Sequence, residues 1–372
     1  MSIILWTLGG FIGLYVLGTI YLAFVLRWED EQTVGLRYYG RDPAGRERFK
    51  RQLRWHARLL APLLALNSRL TKVDFRPARV QHQGLSFPSG SCDATSLERA
   101  TSYRVRPEDV FVVTQMKCGT TWMQHVVYEV LQRGAGNLVD SGTALYAVAP
   151  WLEGRKSVPI EQARPLGTER PARIIKTHLP AELCPAGPAA RYIYVARHPV
   201  SCFASCVDFV ATNVGAMAPP MDAYEQWFRS QELMWWGTWT RHVAGWWQRS
   251  RRDGNVLFLH FEDMKQDLAG VVRQVTAFLG VAPLGDTELA RVVEKCGFGY
   301  MQQHQEAFEM HPPHVLQTSA ELFVRGSADR HKDVPADVRL RMLAWARQEL
   351  SGGDYPLARH YPDVAAAEGA AP

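Results

Sequence analysis

The chain has 372 residues, 47% hydrophobic and 21% charged, which excludes a disordered or collagen-like polymer. Its formal charge of +5 is local: residues 1–70 hold 10 Lys and Arg against 5 Asp and Glu, and the rest of the chain balances at 32 against 32. A basic excess confined to one end argues against nucleic acid as a partner. From Ile3 to Leu26 run 24 residues without a charge, which as a helix would be about 36 Å long and would cross a bilayer. A transmembrane helix is therefore predicted over residues 3–26. A cleavable signal fits less well, because only Met1 and Ser2 precede the run and it exceeds the usual apolar length of about 7–15 residues. Basic residues follow it (Arg27, Arg37, Arg41, Arg46, Arg48, Lys50), so a single-pass membrane protein with its catalytic domain in the cytosol is expected.

Residues 27–74 read as a basic, partly amphipathic juxtamembrane segment. Within it, Arg51 to Leu70 alternates basic and apolar positions near helical spacing, with Pro62 expected to break the helix. Such a segment can lie in the headgroup plane or pack on the domain, and periodicity alone does not separate the two. Residues 75–363 are read as one domain and 364–372, which end AAAEGAAP, as a disordered tail. The six cysteines (Cys92, Cys118, Cys184, Cys202, Cys206, Cys296) are scattered without a C-x-x-C pair, so a reducing compartment is expected.

Four short aliphatic runs end in polar clusters: VFVVT (110–114), RIIKTH (173–178), RYIYVARH (191–198) and NVLFLHFED (255–263). Helical patterns separate them, which predicts an α/β fold with a mostly parallel central sheet flanked by helices. Ligands bind such sheets beyond the carboxyl ends of the strands.

The first run leads into Gln115-Met116-Lys117-Cys118-Gly119-Thr120-Thr121-Trp122. A strand, a tight loop, a glycine and two hydroxyl residues at a helix start describe a P-loop-like phosphate cradle. The nucleotide-kinase loop is not matched, because Lys117 precedes Gly119 and no glycine stands five residues upstream of it. Nor is a cysteine-phosphatase loop, since Gln124 occupies the place of its arginine. Lysine is scarce, 8 against 34 arginines, yet Lys117 and Lys176 both fall at strand ends. A compact ammonium suits a single oxygen that gains charge as its bond breaks.

His178 ends its strand beside Lys176, where an imidazole can take a hydroxyl proton. Arg197 and Ser205 together can grip a terminal phosphate, while Ser201 fits a helix start. Trp122 and Phe298 are the candidates to stack on a base. The tryptophans at 235, 236, 239, 246 and 247 recur near helical spacing and read mainly as core. His304, His311 and His314 lack a nearby carboxylate of fixed geometry, and no metal is expected.

Lys117-Cys118-Gly119-Thr120-Thr121-Trp122 resembles the K-S-G-T-T-W loop of the cytosolic-type sulfotransferases, which in that family binds the 5′ end of 3′-phosphoadenosine-5′-phosphosulfate (PAPS). Lys176-Thr177-His178-Leu179-Pro180 is similar to the family's K-T-H-L-P with its catalytic base. Tyr194-Val195-Ala196-Arg197 with Ser205 is similar to its 3′-phosphate site. Gly237 to Trp247 and Phe261 to Lys265 resemble two further blocks, so the likeness covers residues 75–360.

The resemblance implies a PAPS-dependent transferase that moves a sulfuryl group to a hydroxyl, with His178, Lys117 and Lys176 catalytic and no metal. It implies that Lys117, Cys118, Gly119, Thr120, Thr121, Trp122, Arg197, Ser205, Phe261, Phe298, Met301, Arg325 and Gly326 hold PAPS. The membrane anchor favours a hydrophobic or membrane-associated acceptor such as a lipid alcohol, sterol or phenol. Ala149-Pro150-Trp151-Leu152-Glu153 and the tryptophan region 210–250 are expected to line its pocket.

Three departures stand out. Cys118 replaces the loop serine, and a thiol at a helix start beside Lys117 is expected to be stabilised as thiolate. Phe261 replaces a tyrosine, and Cys296-Gly297 replace a Thr-Ser pair before Phe298. The loop 324–332 keeps only Arg325, Gly326 and Lys332 in character, which leaves a catalytically degenerate, membrane-anchored nucleotide-binding protein as the alternative. A P-loop kinase would need magnesium ligands and a Walker-type lysine, and the sequence offers neither.

Overall fold

A computed structural model describes residues 2–167, 169–309, 312–316 and 330–367. The apolar N-terminal run is the start of one long helix, α1 (Ser2–Thr33), which continues past Leu26 into the charged residues. A single turn, α2 (Leu36–Tyr39), leads to α3 (Pro43–Leu70), opened by Pro43 at its first position and by the Asp42 carboxylate, which accepts from Gly45 N–H at 2.7 Å.

Contrary to expectation, Pro62 does not break α3. It removes one backbone bond, but Leu60 and Leu63 on either side are buried, and their packing holds the helix across it. The two long helices run antiparallel. Tyr15 Oη donates to Asn67 Oδ1 at 3.1 Å, Gly18 faces Leu63, Tyr21 Oη lies 2.7 Å from His56 Nδ1, and the Trp28 and Phe49 rings meet at 5.5 Å.

A hairpin, β1 (Arg79–His82) with β2 (Leu85–Pro88), turns through Gln83 and Gly84, both at positive φ as a tight primed turn requires. Then α4 (Ala94–Thr101), capped reciprocally by Asp93 and Ser96, precedes the main sheet. Its strands are β3 (Asp109–Val113), β4 (Arg173–Thr177), β5 (Arg191–Ala196) and β6 (Val256–His260), all parallel, in the order β4-β3-β5-β6. Every residue of β3 and β4 is buried, which explains the apolar run Val110 to Val113 and the pair Ile174-Ile175. The chain steps from β3 to β4 on one side and then crosses to β5 on the other. That reversal opens a crevice at the carboxyl end of β3.

Between β3 and β4 lie α5 (Thr120–Leu131) and the short α6 (Leu145–Val148). Between β5 and β6 lie α7 (Pro199–Val214), α8 (Met221–Arg229) and α9 (Trp239–Arg252). After β6 come α10 (Phe261–Gln266), α11 (Leu268–Leu279), α12 (Asp286–Lys295) and α13 (Phe298–Gln303), and then α14 (Ala336–Leu350), α15 (Leu357–His360) and α16 (Pro362–Ala366).

Alternate strand residues feed two cores. Phe111, Ile175, Tyr192 and Tyr194 pack with Trp227, Trp239 and Trp246 on one face. Val110, Val112, Ile174 and Ile193 pack on the other with α5, α11 and, from the N-terminal helices, Val25, Phe49 and Leu60. The segment expected to be a tail begins with order: Val364 is fully buried and α16 reaches Ala366, while residues 368–372 lie outside the described part. Among the described residues, two helical stretches, Gly9–Thr33 and Pro199–Met217, are long and apolar enough to cross a membrane. The second carries the core residues Phe203 and Val210 and belongs to the domain interior.

Candidate active site

The loop from β3 to α5 bends through left-handed backbone at Lys117 (φ 64°) and Gly119 (φ 98°). A Cβ at Gly119 would stand 2.8 Å from the Phe261 ring, so only glycine lets the backbone approach there. Thr120 and Thr121 open α5, and the Thr114 and Thr120 hydroxyls meet at 2.6 Å. From above, Gln115 Nε2 donates to the carbonyls of Trp235 (3.0 Å) and Gly237 (2.6 Å), tying this loop to the tryptophan-rich segment.

Both lysines point into the crevice. Lys117 Nζ sits 4.8 Å from the Phe209 ring centroid and Lys176 Nζ 3.7 Å from that of Trp151. Neither makes an ion pair with a carboxylate among the described residues. Burial lowers the Lys117 pKa to about 8, and burial together with the neighbouring Lys117 charge lowers that of Lys176 to about 7.

The partner for this edge comes from residues 150–152. Lys176 N–H donates to Pro150 O and Leu152 N–H to Lys176 O, both at 2.8 Å, which hangs Trp151 over the ammonium. The same pairing carries Glu153 behind the strand end. Its carboxylate, fully buried, accepts from His178 N–H at 2.7 Å and from Thr177 Oγ1 at 2.8 Å. The expectation that the whole 149–153 segment lines the acceptor pocket is thus corrected: Trp151 lines it, and Leu152 and Glu153 face inward. Sequence reading missed this use of Glu153, since nothing local marks a carboxylate that bonds to a strand 24 residues away.

His178 Nδ1 lies 2.8 Å from Thr114 O. A carbonyl only accepts, so the proton resides on Nδ1 and Nε2 carries the lone pair. His242 Nε2–H donates to His178 O at 2.9 Å, while Tyr194 Oη donates to His242 Nδ1 at 3.0 Å, which anchors the residue from a second side. Trp236 and Trp151 flank the imidazole at 4.9 and 5.5 Å. Burial first, and the Lys176 charge second, hold its pKa well below the ordinary value, so the ring is neutral.

Arg197, just beyond β5, donates from Nη1 to Lys117 O at 2.8 Å and stacks on Phe261 at 4.4 Å. Ser205 lies in the second turn of α7. Trp122 Nε1 donates to Cys296 O at 2.7 Å, and its ring meets the Phe261 edge at 5.4 Å. Phe298 opens α13 with Lys265 over its ring at 5.8 Å, and Met301 is buried a turn later.

One cavity of about 1070 Å³ brings these groups together. Its walls include Lys117, Gly119, Thr120, Thr121 and Trp122 of the loop, and Lys176 and His178 of the second strand end. They also include Arg197, Ser205, Phe261, Phe298 and Met301. Arg325 and Gly326 lie outside the described residues. The tryptophans divide: Trp235 and Trp236, in the loop before α9, line the cavity, whereas Trp239 and Trp246 on the helix are core. Ser201 is a buried helix-start residue whose hydroxyl accepts from His331 N–H at 3.2 Å. His314 Nε2 lies 3.0 Å from Asn213 Oδ1, His311 lies outside the described residues, and no described cluster of three metal-ligating side chains occurs.

Cys118 departs from expectation. Its side chain turns away from the cavity into the core, 1% exposed, with Sγ 3.6 Å from Cys202 Sγ. Burial raises its pKa well above the ordinary thiol value, outweighing the helix start and the nearby Arg197 charge. Only its backbone is available to the cradle.

A family model described as sulfotransferase domain matches residues 107–351, more than half of the chain. The chain belongs to this family. Mouse sulfotransferase 2B1 is 34% identical over 229 residues, covering 60% of this chain and 64% of that protein. Human sulfotransferase 1C2 is 29% identical over 210 residues, 55% and 69% of the two chains. The chain thus spans less than two thirds of the mouse relative's length. Among solved structures, mouse sulfotransferase SULT7A1 complexed with PAP is similar with a TM-score of 0.57 at 21% identity, covering 78% of this chain and all of that one. Retinol dehydratase in complex with retinol and PAP is similar with a TM-score of 0.58 at 20% identity, covering 77% and 98%. These two likenesses place the sulfotransferase chain in the same fold.

Proposed function

We propose that this protein is a membrane-anchored, PAPS-dependent sulfotransferase that moves a sulfuryl group to the hydroxyl of a hydrophobic or membrane-associated acceptor. The observation that carries the reading is His178, held as the Nδ1–H tautomer by Thr114 O, in one cavity with Lys117 and Lys176. The cavity suits an anionic nucleotide, because two lysines without a carboxylate ion-pair partner among the described residues face a cradle that admits no Cβ at Gly119. PAPS supplies an activated sulfuryl group when bound. Related structures hold PAP with retinol or androsterone, which supports both the nucleotide and an apolar hydroxyl acceptor.

His178 Nε2 takes the acceptor proton as its oxygen bonds to sulfur and the sulfur–oxygen bond to the phosphate breaks. Lys117 steadies the departing phosphate oxygen, and Lys176 the oxygens of the transferring group. Lys117, Gly119, Thr120 and Thr121, with the backbone of Cys118, hold the 5′ end. Arg197 and Ser205, joined by Arg325 and Gly326, hold the 3′-phosphate. Trp122, Phe261, Phe298 and Met301 bound the adenine. Residues 3–26 span the membrane, 27–74 form the juxtamembrane segment, and 75–363 form the catalytic domain in the cytosol.

Arg197→Ala tests the reading. Calorimetry should show PAP affinity reduced by about ten- to a hundred-fold, with a much smaller loss for the analogue lacking the 3′-phosphate. Equal losses for both ligands would remove Arg197 from the 3′-phosphate site. PAP binding without transfer to any acceptor would favour the degenerate scaffold.

A further inference from the structure

We infer that Glu29 of α1 reads a second polar group of the acceptor, accepting a hydrogen bond from a hydroxyl at the end opposite the one that is sulfated. The acceptor class is then an elongated diol with an apolar middle. This rests on the sulfotransferase reading above and adds a specificity-determining residue that lies outside the matched domain, residues 107–351. Glu29 stands apart from the other carboxylates. Only 4% of its surface is exposed, yet it forms no ion pair among the described residues. Its Oε2 accepts from Val315 N–H at 2.8 Å, and the other oxygen has no hydrogen-bond donor among the described residues. Burial raises its pKa, offset in part by Val315 N–H and by the charge of Lys156. A buried carboxylate oxygen without a donor is costly, and Glu29 lines the cavity, where a ligand can supply that donor.

One stretch of chain joins Glu29 to the catalytic base. Trp151 flanks the His178 imidazole at 5.5 Å, its backbone N–H donates to Ser157 Oγ at 2.7 Å, and Lys156 O accepts from Gly35 N–H at 2.9 Å, just past the end of α1. Trp151, Lys156 and Ser157 all line the cavity that holds both His178 and Glu29. Phe75, Val210 and Trp235 give it apolar wall as well. Its volume of about 1070 Å³ reaches the top of the roughly 300–1,000 Å³ of ordinary ligand pockets, so a bound nucleotide leaves room for an extended second molecule.

The charges around Glu29 select a neutral donor. Lys50 pairs with Glu309, Arg155 and Lys156 with Asp30, Arg54 with Glu47 and Arg27 with Glu31. An anionic group on the acceptor would therefore find these cations already held by carboxylates. An ammonium group would be repelled by Lys156, whose charge already acts on Glu29. A hydroxyl meets neither penalty and supplies the one bond that the free oxygen lacks.

The test uses the full-length protein in detergent with PAPS and a series of straight-chain α,ω-diols of increasing length, each paired with the ω-methoxy alcohol of the same length. An ether oxygen only accepts, so it faces the Glu29 carboxylate without a bond. At one chain length kcat/KM for the diol, corrected for its equivalent hydroxyls, should exceed that for the ether roughly ten- to hundred-fold. Glu29→Gln keeps an oxygen for Val315 N–H and turns an amide donor toward the cavity. The ether then gains a partner, and the two acceptors should come within about three-fold of each other. A purely structural Glu29 would instead move both acceptors together. PAP calorimetry on both proteins reports folding and the nucleotide site. A diol-to-ether ratio unchanged in Glu29→Gln overturns the assignment. So does a wild type that prefers the diol at no length, a comparison that stands even where the variant fails to fold. Failure of the wild type to bind PAP, or to sulfate any acceptor, overturns the enzymatic reading itself.

Discussion

At the sheet end of the cavity, Lys176, His178 and Arg197 sit at or just beyond the ends of parallel strands, with Lys117 on the loop after β3. The opposite wall comes from α1 and α3, which contribute no strand. Strand ends are positioned by a ladder: Val113 stands level with Thr177 on one side and Tyr194 on the other, so residues that follow converge. The helical wall depends instead on Gly18 fitting Leu63 and on Tyr21 reaching His56 across 35 residues. The lesson is that the strand-end wall of the cavity is specified by short segments of sequence, and the helical wall by packing between distant ones.

The largest effect should come from the junction of the two ends. His178→Ala is expected to lower turnover about 100- to 10,000-fold at saturating acceptor, with PAP affinity by calorimetry unchanged. Loss of PAP binding in step with turnover would merge the two ends into one site and remove the base assignment.

A smaller effect, confined to the nucleotide end, follows from the lysines. Burial lowers Lys176 to about 7 and Lys117 to about 8, so both are charged below that window and lose protons as pH rises through it. An anion binds the charged forms, and binding above the window must restore those protons. PAP affinity should therefore fall with rising pH, by up to about ten-fold per unit for each proton taken up. His178 shifts in the same direction but with a different outcome: held well below 6.5, it is already neutral where the lysines are charged, so turnover at saturating PAP should show no acid limb near 6.5. Calorimetry and rate measurements between about pH 6 and 9 check both. A flat affinity profile would mean that the lysines do not meet the anion.

The smallest effect belongs to Cys118. Since only its backbone faces the cradle, Cys118→Ser should leave PAP affinity within about three-fold while lowering stability by about 1–2 kcal/mol, because a hydroxyl replaces a thiol buried beside Cys202. In mass-spectrometric labelling, Cys118 should resist alkylation in the folded protein with or without PAP. Rapid labelling that PAP suppresses would put the thiol back in the cavity.

Taken alone, the sequence determined the parallel α/β sheet, the glycine loop before α5 and the presence of Lys117, Lys176, His178 and Arg197 at strand ends. Each of these follows from local rules: apolar runs make buried strands, and a loop that ends a central strand opens on the crevice. Tertiary structure alone decided that Cys118 meets Cys202, 84 residues away, in the core, and that Glu153 supports His178 from behind. It also decided that Trp235 and Trp236 line the cavity while Trp239 and Trp246 do not, that α3 continues through Pro62, and that Val364 is buried. The physical reason is common to all of them. Which side of a loop loses water, and which partner a buried group finds, depends on surfaces brought together from elsewhere in the chain, and no local pattern of residues encodes that.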